Sequence, residues 1–502
     1  MPEQFLHGVE VLEVSDGRRP IRTTRSSTIG LIGTAPNSAT DTKADTTIGG
    51  GAANSALDIT AKAVGSLGNG ISITLIDPAA NSSALEITVD GKAITASLAT
   101  SATGAITTTA SMLKTAIAAK AEAAALITAE NVAGSSGAGL LAAAAKTVLI
   151  GGVDEPFPLN TPVLIAANRT EAAKLGEAGT LYNAIDGIFD QTGAVVVVVR
   201  VAAGADQAET EDNIIGGVSG AGQYEGAHAF LGAESALGVV PRVLIAPGFT
   251  GDSDNGVVAE LLGIANRLRA VIIADGPNTT DAAAVTAAGD FGSDRIFLVD
   301  PSVRVVRNGA PVSEPASARV AGLIAKSDNE RGFWWSPSNQ EIAGIVGTSR
   351  PVDFTLGDPN TRANLLNEAN VATIIRLNGF RLWGNRSLSA DPKFAFLSVR
   401  RTADIINDSL LRAHLWAVDR NITKTYLEDV AGGVTDYMRT LQAQGAILGG
   451  KCWPDPDLNS AADIAQGKVF FCFDFTPPYP AEHITFKSIL TNDYIEELVS
   501  TN

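Results

Sequence analysis

SVRRTADIINDSLLRAHLWAVDRNITKTYLEDV, Ser398–Val430, is the stretch from which the rest of the chain is read. Ile406, Leu410, Ala413 and Ala417 fall on one stripe of a helix predicted over Ser398–Val418, and Leu411, Leu415 and Val418 on the adjacent one. So wide an apolar surface predicts burial against a sheet or a partner. Further on, Val469–Phe475 alternates as a strand does, with Phe471, Phe473 and Phe475 on one face and Phe470, Cys472 and Asp474 on the other. A final α+β domain is therefore expected from about Val371 to Phe475.

Upstream the rhythm changes. Val163–Ala166, Val195–Val199, Val243–Ala246, Val271–Ala274 and Ile296–Val299 read as strands buried on both faces. Helix-period stretches separate several of them, such as Val257, Val258, Leu261, Leu262, Ala265 and Leu268. That alternation predicts βαβ units and a mostly parallel sheet. From about Asp41 to Gly152 the chain is instead rich in Ala, Gly, Ser and Thr. Ile71–Leu75 and Leu85–Val89 alternate as strands, Asp90-Gly91 suits a tight hairpin, and Thr109–Ala125 reads as a helix with Leu113, Ile117 and Ala121 on one face. This is a small inserted α+β module. Its composition marks it off, because no Phe, Tyr or Trp occurs between Phe5 and Phe157, and all five Trp lie at or beyond Trp334. One uniform core would not segregate its bulkiest side chains in that way.

At 502 residues, with 45% hydrophobic and 18% charged side chains, the chain is expected to form a globular protein of about three domains. It has no apolar run of about 18 residues, so no membrane span is expected. The N-terminus MPEQFLHGVEV lacks the pattern of a secretory signal. A net charge of −17 argues against nucleic-acid binding, which needs a basic footprint.

Five ordered segments resemble contractile phage-tail sheath proteins, a family that includes tailocin sheaths. They are FLHGVEVLEVSDGRRPIRTTRSSTIGLIGTAP (Phe5–Pro36), FWWSPSNQEIAGIVGTSRPVDF (Phe333–Phe354), RLWGNRSL (Arg381–Leu388), the Ser398–Val430 run, and FDFTPPYPAEHITFKSILTNDYIEEL (Phe473–Leu498). The resemblance implies an N-terminal arm (1–20), a subtilisin-like α/β domain (21–40 and 153–370), a peripheral insertion (41–152), a C-terminal sheath domain (371–483) and a C-terminal arm (484–502). It implies hexameric rings of this chain stacked helically around a tail tube, with baseplate and tail terminator proteins as further partners. Assembly is expected in the host cytoplasm and residence in the virion tail. The arms would exchange strands between subunits through Val9, Val11, Leu12, Val14, Ile484, Phe486, Ile489, Leu490, Tyr494, Ile495 and Leu498. Tube attachment is expected at Asp455, Asp457 and Asp463, in the segment Asp455–Gln466. Cys452, in what reads as an exposed loop, and Cys472 are candidates for disulfides between subunits or to the tube.

A subtilisin-like topology raises the question of a Ser-His-Asp triad. Of four histidines only His228 falls in the α/β region, and Ser219, in Gly217-Val218-Ser219-Gly220, lacks the G-x-S-x-G spacing. No catalytic residues are expected. Two cysteines and scattered histidines give no zinc spacing, and there is no phosphate-binding G-x-x-x-x-G-K-[ST], so neither metal nor cofactor is expected. The rival readings are a subtilase-like hydrolase and a surface-binding virion module.

Overall fold

The computed structural model describes residues 20–252, 255–492 and 494–495. Its centre is an eight-stranded sheet. In chain order the strands are β1 (Ile29–Thr34), β2 (Pro162–Ala166), β3 (Val195–Val201), β4 (Val243–Ile245), β5 (Val271–Asp275), β6 (Ile296–Val299), β7 (Val371–Arg376) and β8 (Phe380–Trp383). Their spatial order is β8-β7-β6-β5-β4-β1-β3-β2. Parallel pairing joins β3 to β1, β1 to β4, and so on through β7; β8 pairs antiparallel with β7. β1 lies between β3 and β4 with all six residues buried. A Cβ on Gly33 would meet Thr180 Oγ1 at 2.2 Å, so the strand can lie against the helix Leu181–Phe189 only with glycine there.

Helices cover both faces of the sheet. Gly256–Leu268, Asp281–Gly289 and Arg362–Glu368 share a core with Ile32, Leu244, Ile272 and Ile296. Leu181–Phe189 and Ser317–Glu330 pack together against β1, β4 and β5. The structure corrects two expectations here. β2 is an edge strand with Leu164 exposed, so that run is not buried on both faces. The sheet also runs on through β7 and β8 to Trp383, past the boundary read near Val371, because β7 is itself a run of buried residues that pairs with β6.

The chain divides into two compact units, one being Ala35–Val163 with Ala173–Ala178. That unit has a core of its own without aromatic side chains, built on Leu57, Ile59, Ile73, Ile94, Leu113 and Ile117. Its sheets are Lys43–Ile48, Leu57–Val64 and Ile127–Asn131, and a four-stranded sheet holding Ser72–Ile76, Glu86–Asp90, Ala93–Ser97 and Ala144–Val148. Thr109 caps the helix Ala110–Ala119 by accepting from Met112 N. The helix stops at Lys120 and a second begins at Ala121, which leaves Ala121 exposed and buries Ala123 instead. The hairpin turn is shifted by one residue: Asp90 pairs with Ala93, so Gly91 and Lys92 are its central residues, with Gly91 at φ +56°. Glycine first with positive φ is the demand of a type II′ turn.

The C-terminal part belongs to the same unit as the eight-stranded sheet. Two helices, Leu397–Ala413 and Lys424–Ala443, bury Ile405, Ile406, Val434, Met438 and Leu441 together. A hairpin of Gly449–Pro454 and Phe471–Thr476 lies on the second helix, with Phe473 and Phe475 against the same core. The first helix ends at Ala413, short of the expected Val418. His414 donates from Nδ1 to the Leu410 carbonyl (2.7 Å), the acceptor that the next helical turn would use, and Asp419 takes φ +62°. Leu411, on the helix, and Leu415 and Val418, beyond its end, all stand in solvent instead of forming a buried stripe.

At the end of β5, buried Asp275 accepts from Ser317 N (2.8 Å) and Ser317 Oγ (2.6 Å) at the start of the helix Ser317–Glu330. Burial pushes its pKa up to about 6, the two Ser317 bonds pull it partly back, and Asp300 adds to the rise. A carboxyl whose pKa rises on folding stabilises the fold while protonated; that contribution is whole below about pH 4 and is lost as pH climbs through 6. Asp275→Asn keeps both bonds, its oxygen accepting from Ser317 N and its amide donating to Ser317 Oγ. It should raise stability at pH 7 by up to about 3 kcal/mol, with the gap to the parent closing below pH 5 in thermal unfolding.

Candidate assembly surfaces

The helix Leu397–Ala413 carries a second stripe that its apolar reading hides: Arg400, Asp404, Asp408 and Arg412, each one turn from the next. Each meets an opposite charge from the sheet body. Arg400 donates to Asp294 (3.1 Å), and Asp404 takes both arms of Arg295 (2.7 and 2.9 Å). Asp408 accepts from Arg242, and Arg412 from the helix pairs with Glu234. Arg295 is held further by Asn266 (2.9 Å) and the Ala270 carbonyl (3.0 Å), and Arg242 by the Leu268 carbonyl. On a separate face Arg401 donates to Asp328 (2.8 Å) and the Ser26 carbonyl (3.2 Å), while Ser26 Oγ donates to Asp328 (2.6 Å). Arg242, Asp404, Asp408, Arg401 and Asp328 are nearly devoid of solvent contact. Burial would raise the Asp408 pKa, but the charge and hydrogen bond of Arg242, with help from Arg412, hold it below the usual carboxylate value.

Beyond the helices, the hairpin presents the residues expected at the tube. Asp455 spends its carboxylate locally: Oδ1 accepts from Asp457 N (2.9 Å) and Leu458 N (3.0 Å), and Oδ2 from the Cys472 thiol (3.0 Å). Asp463 accepts from the Ser460 hydroxyl, which caps the short helix Ala461–Ala465. Asp457 is exposed and so is the freest acid of the three. Cys452 lies on the strand Gly449–Pro454, not in a loop, because Thr435 Oγ1 on the helix beneath accepts from its N (3.1 Å) and Phe473 faces it across the ladder. Burial pushes its thiol pKa up to about 11. The hydrogen bond to Asp455, then burial, raise the Cys472 thiol. Both cysteines are free and half-buried.

Of the expected arm residues, Val9, Val11, Leu12, Val14 and Leu498 lie outside the described residues. Ile484, Phe486, Ile489, Leu490, Tyr494 and Ile495 are all exposed, Phe486 at 91% and Leu490 at 97%. No further strand joins the two-stranded sheet Gly449–Pro454/Phe471–Thr476 among the described residues. In the α/β body, His228 Nε2 pairs with Glu260 (2.8 Å), and Ser219 Oγ accepts from Gln223 N (3.1 Å) within its own turn.

Comparison with known proteins is consistent along the chain. Residues 222–388 match the phage tail sheath protein central domain and residues 389–491 the phage tail sheath C-terminal domain. Residues 138–201 match the N-terminal region of domain III of tail sheath protein Gp18. A prophage major tail sheath protein of Pseudomonas aeruginosa (strain UCBPP-PA14) is 47% identical over 342 residues, 68% of this chain and 88% of that protein. The tail sheath protein of Burkholderia phage BcepMu is 30% identical over an alignment taking in all of both chains.

This chain belongs to the phage tail sheath family.

It is a structural subunit of a contractile sheath. The fold agrees with this: the helical sheath of the anti-feeding prophage in its contracted state superposes with a TM-score of 0.53 at 22% identity, covering 66% of this chain and 89% of that one. The charges that join the sheath subunit's C-terminal helix to its body were missed at the sequence level. The i,i+4 spacing on the helix was there to be seen, whereas Asp294, Arg295, Arg242 and Glu234 are distant in sequence. Asp408→Ala leaves Arg242 buried without its carboxylate and should cost about 3–5 kcal/mol in denaturant unfolding. Replacing Arg242 and Asp408 together with Met and Leu should recover most of that loss.

Proposed function

We propose that the sheath subunit polymerises with copies of itself into hexameric rings stacked helically around a tail tube, and that contraction of this lattice drives the tube through a host envelope. The exposed apolar C-terminal arm carries this reading. Ile484, Phe486, Ile489 and Leu490 stand in water along a stretch that adds nothing to the subunit's own core, which is the condition of a segment awaiting a partner. The hairpin supplies a complementary edge, since the outer side of Phe471–Thr476 has no strand beside it among the described residues. Strand addition there would use backbone groups and tolerate variation in the side chains. The sheath acts as a mechanical protein without catalysis, assembled in the host cytoplasm and carried in the virion tail, with baseplate and terminator proteins at its ends. Its α/β body is subtilisin-like in having a mostly parallel sheet with helices on both faces. The Asp455–Gln466 segment contacts the tube, with Asp457 as its freest charge. The insertion 41–152 is peripheral, as a core drawn only from its own residues suggests.

One assembly assay on purified tube tests these parts separately. Removing residues 1–20 and 484–502 takes away several backbone hydrogen bonds per joint, each worth about 1 kcal/mol net. The truncated chain should run as a soluble monomer with near-native unfolding and form no tubes; tubes of normal length would end the strand-exchange reading. Joining Asn37 to Glu155 by a short Gly/Ser linker should still give sheaths, and their loss from a folded deletion would show the insertion to be part of the lattice. Asp457→Lys with Asp463→Lys should weaken templated assembly most at low salt, where charge steering is least screened; unchanged assembly would place tube attachment elsewhere.

A further inference from the structure

The C-terminal arm leaves the subunit at a built contact. Arg386 donates from Nε to both Glu482 oxygens (2.9 and 3.0 Å) and from Nη2 to Oε2 (2.6 Å). Its guanidinium lies 5.0 Å over the Phe396 ring, and Phe396 meets Tyr479 edge-on with ring centroids 6.0 Å apart. The platform under these groups is rigid. Arg386 and Phe396 are bridged as antiparallel strand partners; Ser387 N donates to the Ala395 carbonyl (2.8 Å) and Leu397 N to the Asn385 carbonyl (3.0 Å). Ser387 is fully buried, and Leu397 opens the helix that bears the charge stripe. On the arm side Pro477 is buried, whereas every residue from Ala481 to Asn492 is exposed. Glu482 is thus held at the point where the chain turns from packed to free.

We propose that Arg386, stacked on Phe396, is a clasp that fixes the pivot of the C-terminal arm and aims it at a second copy of this chain. The proposal rests on the strand-exchange reading above and adds to it the residue that positions the arm. A guanidinium suits this task because its planar fork engages both carboxylate oxygens while one face stacks on the ring, which an ammonium cannot do. With the clasp closed, free chain begins just before the apolar residues Ile484 and Phe486. With it open, the stretch 478–482 joins the tether, and effective concentration falls with about the −3/2 power of tether length, a dilution of roughly fivefold. The pair is half exposed, so it contributes little to subunit stability and its loss should appear in assembly instead.

Arg386→Glu, Glu482→Arg and the double exchange separate this role from others. Each single variant should unfold near the parent temperature, nucleate tubes roughly fivefold more slowly by light scattering, and show faster motion of a spin label at position 489 in the monomer. The double exchange should restore both rate and mobility towards the parent. Arg386→Lys should fall between parent and Arg386→Glu. Single variants that assemble and move like the parent would overturn the clasp, as would slow single variants that the exchange does not rescue. If chain cut after His483 assembles normally, the strand-exchange reading fails. The clasp is still judged by a label at position 481, which leaves Glu482 in place, in that cut chain: mobility that rises with Arg386→Glu sustains it, and unchanged mobility removes it.

Discussion

The structure depends on the charge ladder between the helix Leu397–Ala413 and the sheet body. Read along the helix, its signs are plus, minus, minus, plus; those facing it, on Asp294, Arg295, Arg242 and Glu234, are the reverse. Buried ion pairs are poor sources of net stability, because desolvation takes back most of the attraction. Their value here lies in register. Sliding the helix by one turn sets Arg400 against Arg295 and Asp408 against Glu234, leaving a single attraction, Asp404 with Arg242. Each like-charge meeting costs about 4 kcal/mol at contact distance in an intermediate dielectric. An apolar interface of the same area would have no comparable objection to a one-turn shift.

That constraint makes the sheet body and the C-terminal helices one mechanical piece. The apolar side of the same helix, Ile405 and Ile406, is committed to Val434, Met438 and Leu441, and through them to the hairpin that carries Asp455–Gln466. Both sides of the helix are thereby occupied, one by charges and one by the core. The hairpin's position relative to the sheet is fixed at second hand, by the register of a helix that touches both.

Several apolar runs and spacings could be read from the sequence, whereas side-chain bonds and distant partners could not. Val195–Val199 shows itself as an inner strand by its unbroken run of valines, and Leu113 and Ile117 mark a buried helix face by spacing alone. The helix end at Ala413 was missed because it rests on a side-chain bond from His414 to the Leu410 carbonyl, which apolar periodicity does not register. Cys452 looked like a loop residue beside Gly449, Gly450 and Pro454. It is a strand residue because Thr435, on the preceding helix, and Phe473, across the hairpin, satisfy it. The sequence reading places β7 and β8 in the C-terminal domain, since nothing in Val371–Arg376 says which sheet will receive it. Arg386 carried no local signal: its meaning comes from Glu482, in the segment where the chain leaves the core.

A subunit made in this way divides its stiffness unequally. Breaking one buried rung of the ladder costs about 3–5 kcal/mol, since it strands a charge away from water. The stretch from 483 to 492 is exposed throughout, so rotating backbone there disturbs little packing. If the arms join neighbouring subunits as proposed, a load that reaches the subunit through them would go into the arm joints before it reaches the ladder. On the proposed strand exchange, lattice rearrangement under such a load would be a rotation of intact bodies about still-paired arms, the hinge mode of large-scale change. On that reading the body would neither shear nor unfold, because the least costly motion lies at the arm.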